Sequence, residues 1–432
     1  MSQLATAQGE NARAALVERT NCRVCGGTLR TILDLGDQYL QGSFVKPGVS
    51  DPPTVRFPLE LTRCAEPVEG GRDACGLVQL RHTLPGGLLY DTYWYRSRIN
   101  DSMRAHLTSI AESAVAALGR SPRRVLDIGC NDGTLLENLS GADRWGIDPS
   151  NATDDAPDGI TLVRDFFPSD ALEEYAGSFD IVTSIAMFYD LEDPVAFARA
   201  VGRMLAPGGV WVVEVAYLPT MLETTGYDSI CHEHLSYYSL STLQRILGEA
   251  GLKIRRASLN GVNGGSICCV ATRSGEGAGC ADGSVPEIAG RERELRLDQD
   301  APYEQFGDRV RAHRDELATL LRGLRAQGST IHVYGASTKG NTLLQYCGID
   351  HTLIKYAAER NPDKFGARTL GTNIEIISEA DSRAQHPQFY LVLPWHFREE
   401  IVAREAAMLE AGCRLIFPLP AVQIVGSPDA SV

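Results

Sequence analysis

The alternation of apolar and polar positions divides the chain into three unequal regions. Up to about position 81, short β-like runs sit among turn residues, with too little apolar material for a core of their own. LLYDTYWYRSRINDSM follows, aromatic and irregular, and then RAHLTSIAESAVAAL spaces Ala, Leu and Ile as a helix that should lie over a neighbour. Between positions 123 and about 272 the runs RRVLDIG, RWGID, FDIVTSI, VWVVEVA and SICCVAT alternate with helical segments, the pattern of a mostly parallel, doubly wound sheet. RSGEGAGCADGSVPEIAG reads as a linker, and one long charged helix from REREL to LRGLRAQG leads out of it. The alternation then restarts with TIHVYGAS, LIKYAAE, FYLVLPW and RLIFPLP. The predicted fold class is α/β: a small domain at 15–88, a Rossmann-like domain at 89–275 and a second Rossmann-like domain at 290–425, without a short-period repeat.

Composition narrows the function. The net charge of -14 argues against a nucleic-acid partner, which would need clustered Lys and Arg. No run approaches the roughly 20 apolar residues of a membrane span. The opening MSQLATAQGENARAALVERT is polar and lacks a secretory apolar core, so a cytoplasmic location is expected. Eleven cysteines, an odd number without a secretion signal, fit a reducing compartment where thiols bind metal or pack.

The strongest motif is VLDIGCNDGTLL: a strand ending in Asp127, a loop with Gly129, Asn131 and Gly133, and a helix starting at Thr134. Glycines there let a ligand approach the backbone at a positive helix end. The D-x-G-x-x-x-G-x-L spacing fits the first motif of class I methyltransferases better than the dinucleotide G-x-G-x-x-G, which makes S-adenosylmethionine the expected cofactor. Asp148 ends the next strand, where a carboxylate can accept both ribose hydroxyls. Asp165 and Phe166 are candidates for the adenine, against the plainer reading of a capping Asp and a core Phe. Ser184 and Met187, in SIAMFYDLEDP, would line the sulfonium side, unless they are simply core.

Catalysis points to YDSICHEHLSYYSL, where His232 and His234 flank Glu233 in an irregular segment after a sheet strand. Methylation at carbon needs a base to take a C–H proton, and histidine titrates near working pH. A metal at this pair lacks the H-E-x-x-H register that puts both imidazoles on one helical face. Metal is expected instead at Cys22, Cys25, Cys64 and Cys75, a tetrahedral thiolate zinc site whose last two ligands are separated by the loop AEPVEGGRDA. In VYGASTKGNTLL, Gly335, Lys339 and Gly340 form a cradle for an anionic group, with Asn341 next in the helix, and Glu359 ends the following strand where a ribose contact would sit.

These motifs together resemble the sugar C-methyltransferases of antibiotic and surface-polysaccharide pathways, typified by the C-3 methyltransferase of tetronitrose biosynthesis. The resemblance covers nearly the whole chain: the CxxC domain, YWYRS at 93–97, LDIGCNDGTLL, HEHLSYYS, GASTKGNT, ERNPDKFG, LVLPWHF and FPLPA. It implies a zinc-stabilised N-terminal domain, a central S-adenosylmethionine domain and a C-terminal domain closing over a nucleotide-diphosphate sugar, in a monomer or homodimer. It also implies His234 as the base beside a C-4 ketone, Glu233 as its acidic neighbour, and Tyr95, or else Tyr93, as an active-site tyrosine. His232 would join the substrate-binding set. The chain has Cys231 where the family has tyrosine and Tyr189 where it has histidine, so the sugar pocket should differ. Three other readings stay open: an O- or N-methyltransferase on the same sugars, a nicotinamide-dependent oxidoreductase using the C-terminal fold, and a non-catalytic scaffold.

Overall fold

The computed structural model describes residues 13–48, 54–68, 73–90, 93–276 and 281–426. Residues 1–12 of the polar opening, 69–72 of the loop between Cys64 and Cys75, and 277–280 of the linker lie outside them. Among the described residues, no helix is long and apolar enough to cross a membrane.

The central region forms a seven-stranded sheet. Its order is Leu252–Asn260, Ser266–Arg273, Leu205–Ala216, Phe179–Ile185, Arg124–Ile128, Asp143–Ile147, Thr161–Val163. The last five run parallel and Ser266–Arg273 is antiparallel to both of its neighbours. From Arg124–Ile128 the chain goes first to one side and then to the other. The loops after that strand and after Phe179–Ile185 therefore flank a topological switch point, where α/β sheets place ligands. The helix Asp101–Leu118 covers one face with Leu107, Ile110, Ala111 and Ala114; the Asn100 side chain caps its start and Gly119, at φ 73°, ends it.

The C-terminal region builds an eight-stranded sheet ordered Gln423–Val425, Arg414–Phe417, Phe389–Val392, Ile331–Tyr334, Tyr356–Glu359, Glu375–Ser378, Arg368–Thr369, Phe44–Val45. Its last strand comes from the N-terminal region. That region's own sheet, Thr28–Gln38, Phe57–Glu66 and Val78–Leu80, is completed by Ser236–Tyr237 from the HEH segment. Leu61 and Leu80 consequently share one apolar core with Leu218, Leu317, Leu343 and Ile376, far along the chain.

The long charged helix is two helices, Ser284–Glu294 and Ala301–Ala326. Arg296 takes a left-handed φ of 52°, and Pro302 sits in the first turn of the second helix, where its missing N–H costs nothing. The first of the two begins inside the stretch read as linker.

Because the core is shared, Leu61→Ala should destabilise the whole chain by about 2–5 kcal/mol, the usual cost of a buried leucine truncation. Far-UV circular dichroism and tryptophan fluorescence should shift to lower denaturant together; an early transition confined to one probe would show that the N-terminal region unfolds by itself.

Candidate active site

The loop at 129–133 is held in shape from below. Asp127 is buried, accepts a 2.6 Å hydrogen bond from Thr183 Oγ1, and has its carboxyl pushed up to about 7 by burial. Gly129 has φ 75°, and a Cβ there would come within 2.9 Å of Met187 Cγ, so loop and methionine touch only because the residue is glycine. Asn131 N donates to Asp148 Oδ2 at 2.9 Å, while Asp148 Oδ1 accepts from Ser150 N at 2.8 Å and Ser150 Oγ at 2.6 Å. Three of that carboxylate's roughly four acceptor positions are used, and one stays open to a ligand hydroxyl.

The aromatic connecting stretch lies across this loop. Asn131 Oδ1 accepts from Ser97 N at 3.1 Å and its Nδ2 donates to the Tyr95 carbonyl at 3.2 Å; from the other side, Asn361 Nδ2 donates to the Trp94 carbonyl at 2.9 Å. Tyr95 is 44% exposed. Tyr93 is half-buried, its hydroxyl pKa raised by burial and by the charges of Asp190, Glu233 and Asp148, and both Tyr93 and Tyr95 act on Tyr189.

Other expected cofactor contacts divide. Asp165 and the half-exposed Phe166 sit at the surface, with Phe166 edge-on to Tyr90 at 6.3 Å; Asp165 already accepts from Phe166 N and Ser169 Oγ. Ser184 does not face the loop. Along a strand successive side chains alternate faces, so with Thr183 on Asp127, Ser184 turns into the core, where its Oγ accepts from Trp211 Nε1 at 3.2 Å.

The HEH segment is clamped on both sides: Leu80 N donates to the Leu235 carbonyl at 3.0 Å and Thr342 Oγ1 to the Ile230 carbonyl at 2.9 Å. His232 is buried, with Nδ1 2.7 Å from Gln41 Oε1 and Nε2 3.3 Å from the Phe57 carbonyl. Asn341 Nδ2 donates to the Gln41 carbonyl at 2.7 Å. His232 thus has both ring nitrogens committed inside the protein, whereas Asn341 keeps its buried Oδ1 without a partner. Both hold Gln41, and through it three regions of the chain are pinned together.

His234 is placed differently. Its Nδ1 lies 2.8 Å from the Ser229 carbonyl, an acceptor only, so the proton sits on Nδ1 and Nε2 carries the free lone pair. Burial, helped by the charge of Lys339, lowers its pKa to about 4. The Tyr189 ring packs 4.4 Å away. Glu233 is 8% exposed and its Oε2 has no partner; a Cβ on Gly42 would fall 2.2 Å from its Oε1. Burial raises its carboxyl, and raises that of nearby Asp190, whose Oδ1 is also unpartnered, as is the Tyr90 hydroxyl. Cys231 is fully buried beside Glu233.

From the C-terminal sheet, Lys339 Nζ donates to the Asn263 carbonyl at 2.5 Å. Glu359 accepts from Ala336 N at 3.0 Å, Arg360 N at 2.7 Å and Asn361 N at 3.0 Å, bracing the GASTKG loop as Asp148 braces the first one. Sequence reasoning missed Asp228, whose Oδ2 accepts from Trp395 Nε1 at 2.8 Å, and His396 beside that tryptophan. The only signal was their position within two of the quoted motifs, YDSICHEHLSYYSL and LVLPWHF.

Family models match in chain order: a zinc binding domain at 22–90, a methyltransferase domain at 96–257 and a C-methyltransferase C-terminal domain at 261–420. C-methyltransferase NovU of Streptomyces niveus is 30% identical over 415 residues, 94% of this chain and 97% of that protein. The chain belongs to this C-methyltransferase family. It is an S-adenosylmethionine-dependent enzyme with a zinc-binding N-terminal domain. A ubiquinone biosynthesis O-methyltransferase of Psychrobacter cryohalolentis is 33% identical over 132 residues, 27% of this chain and 49% of that one. Among solved structures, the magnesium protoporphyrin IX methyltransferase of Synechocystis aligns with 40% of this chain and 79% of its own, at 19% identity and a TM-score of 0.31.

In this C-methyltransferase the four cysteines fit zinc. The sulfurs of Cys22, Cys25, Cys64 and Cys75 all lie within 4.8 Å of one another, against the roughly 3.8 Å edge of a tetrahedron with 2.3 Å Zn–S bonds. A Cβ on Gly27 would come within 2.8 Å of Cys64 Sγ and 3.3 Å of Cys25 Sγ, so only glycine leaves room for the cage. Without a cation the crowded sulfurs resist joint ionisation: hydrogen bonding among them holds Cys64 down and pushes Cys22 and Cys75 up. No other group of three or more His, Cys, Asp or Glu among the described residues is arranged to hold a metal.

Two measurements follow. Elemental analysis should give one zinc per chain, lost in Cys64→Ser, and chelation should lower the melting temperature; fully folded metal-free protein would contradict it. Because the His234 pKa is depressed, its Nε2 is unprotonated through neutral pH. The stability contributed by neutral His234 should thus be lost as pH falls from the ordinary imidazole value of about 6.5 toward about 4, read as a melting temperature that drops across that range.

Proposed function

We propose that the enzyme methylates a carbon next to the ketone of a nucleotide-diphosphate keto-deoxysugar. The observation that carries this reading is the fixed tautomer of His234: a neutral imidazole with its lone pair on Nε2, in the residue after Glu233, whose buried Oε2 has no partner. A ketone acidifies the neighbouring C–H, His234 Nε2 takes that proton, and Glu233, with its carboxyl raised by burial, is the acidic partner beside it. S-adenosylmethionine supplies an electrophilic methyl group; the residues suited to hold it are the loop with Gly129, Asn131 and Gly133, the open acceptor position of Asp148, and Met187. Tyr93 takes the place of the family's active-site tyrosine. Orienting the reacting carbon is the larger part of catalysis. Sugar specificity would come from Tyr189 and Cys231, which border the base.

The test uses methyl-labelled S-adenosylmethionine with a panel of nucleotide 4-keto-6-deoxysugars, locating the label by NMR. We expect a new carbon-bound methyl next to the ketone. His234→Ala should lose about 10²–10⁴-fold in turnover while binding the cofactor normally. A methyl on oxygen or nitrogen, or wild-type turnover by the variant, would overturn the reading.

A further inference from the structure

Away from the HEH segment, a surface cavity of about 430 Å³ opens between the helix Ala301–Ala326 and the end of the helix Thr338–Tyr346. That volume lies in the range of small-molecule sites. Arg314, Asp315, Thr319 and Arg322 line it from the long helix, and Tyr346 and Cys347 from the short one. Arg314 lies over the Tyr346 ring, 5.4 Å from its centroid, and its Nε donates to Asp315 Oδ1 at 2.9 Å. Its terminal nitrogens stay uncommitted. Arg322 has no hydrogen bond or ion pair among the described residues, and its Nη2 would stand 3.9 Å from a Cβ on Gly348.

In a chain of net charge -14, two uncommitted guanidinium groups on one cavity wall select an anion. Arg314 and Arg322 are eight residues apart on one helix, a rise of about 12 Å, so an anion that meets both must carry charge on more than one group. A lone carboxylate does not. A diphosphate does, and the guanidinium fork matches its oxygens two at a time. Between the arginines, the Thr319 hydroxyl and the Asp315 carboxylate suit the hydroxyls of an organic diphosphate.

The inner wall of the cavity reaches the HEH segment through direct contacts. Cys347 Sγ is 3.3 Å from Tyr227 Oη, which is 3.0 Å from His313 Nδ1. His313 Nε2 lies 2.6 Å from the Pro418 carbonyl, an acceptor only, so Nε2 carries the proton and Nδ1 accepts from Tyr227. The Tyr227 oxygen is left to accept from the Cys347 thiol. The Tyr346 ring also meets the Tyr227 ring edge-on at 5.5 Å. Tyr227 opens the turn Tyr227–Ser229, and the Ser229 carbonyl is the group 2.8 Å from His234 Nδ1 that fixes its tautomer. A ligand that draws Arg314 off Tyr346, or shifts Cys347, therefore pulls on the turn that sets His234.

We propose that this cavity is an effector site for an organic diphosphate of the nucleoside diphosphate class, and that its occupancy is transmitted to residues 227–235 through Tyr346, Cys347 and Tyr227. Binding there does not depend on which reaction the enzyme catalyses.

The experiment uses the full chain as wild type, Arg314→Gln, Arg322→Gln, the double variant and Tyr227→Phe. Titration calorimetry with inorganic pyrophosphate and with a nucleoside diphosphate reads binding; hydrogen–deuterium exchange of residues 227–235 reads transmission. We expect each single arginine variant to weaken pyrophosphate binding about 10–100-fold and the double variant to abolish it. The nucleoside diphosphate should lose a binding event in the same variants. Pyrophosphate should slow or speed exchange in residues 227–235 of the wild type, and Tyr227→Phe should bind it normally with a smaller exchange response. Wild-type protein that binds no pyrophosphate, or affinities equal in all the arginine variants, would overturn the site. Binding that leaves exchange in residues 227–235 unchanged would overturn the effector role. Neither readout uses turnover, so failure of the methylation reading is seen separately, in the sugar assay above.

Discussion

The site depends on one constraint: the short segment 230–235 has to satisfy its backbone from both sides at once. Leu80 supplies a donor from the zinc-bearing region and Thr342 one from the C-terminal helix, while Gln41 bridges His232 to Asn341. A buried carbonyl or imidazole left without its partner would cost roughly 1–3 kcal/mol. The segment thus has little freedom, and the His234 it carries inherits that rigidity. The free lone pair on His234 is a product of this clamping, because the Ser229 carbonyl that fixes the tautomer belongs to the same immobilised stretch.

What was legible in the sequence was local. Strand runs such as RRVLDIG and TIHVYGAS, the glycine loop after Asp127 and the close grouping of four cysteines each follow from a few neighbouring residues, and each appears in the structure. What failed depended on phase or on distant partners. Ser184 lies one residue out of phase with Thr183 on the strand's pleat, so it faces Trp211 and not Asp127. Nothing nearby in sequence reveals that Gln41, some 190 and 300 residues away, takes a ring nitrogen of His232 and the amide nitrogen of Asn341. The break at Arg296 was overridden by charge patterning, although Pro302 marked it.

The two larger sheets solve the same mechanical problem in the same way. Each has an acid at the end of its second strand, Asp148 or Glu359, whose carboxylate grips a loop N–H after the first strand and further N–H groups after its own. The sequence suggested ribose contacts for both. In the structure each is first a brace that sets loop curvature: Asp148 retains one free acceptor position, whereas Glu359 is also approached by Lys364 at 3.7 Å. The C-terminal sheet therefore repeats the architecture of the cofactor sheet while offering a different chemistry, a cation where the first offers acceptors.

The pairing of Phe44–Val45 with Arg368–Thr369 has a further consequence. A sheet that ends in an unpaired strand offers a template for other chains. Here the outermost row of hydrogen-bonding groups belongs to a strand of the N-terminal region, whose Phe44 is buried in the core shared with the C-terminal sheet. Displacing that strand would strip a selvedge from the last sheet, turning a disturbance in the first region into a route to self-association.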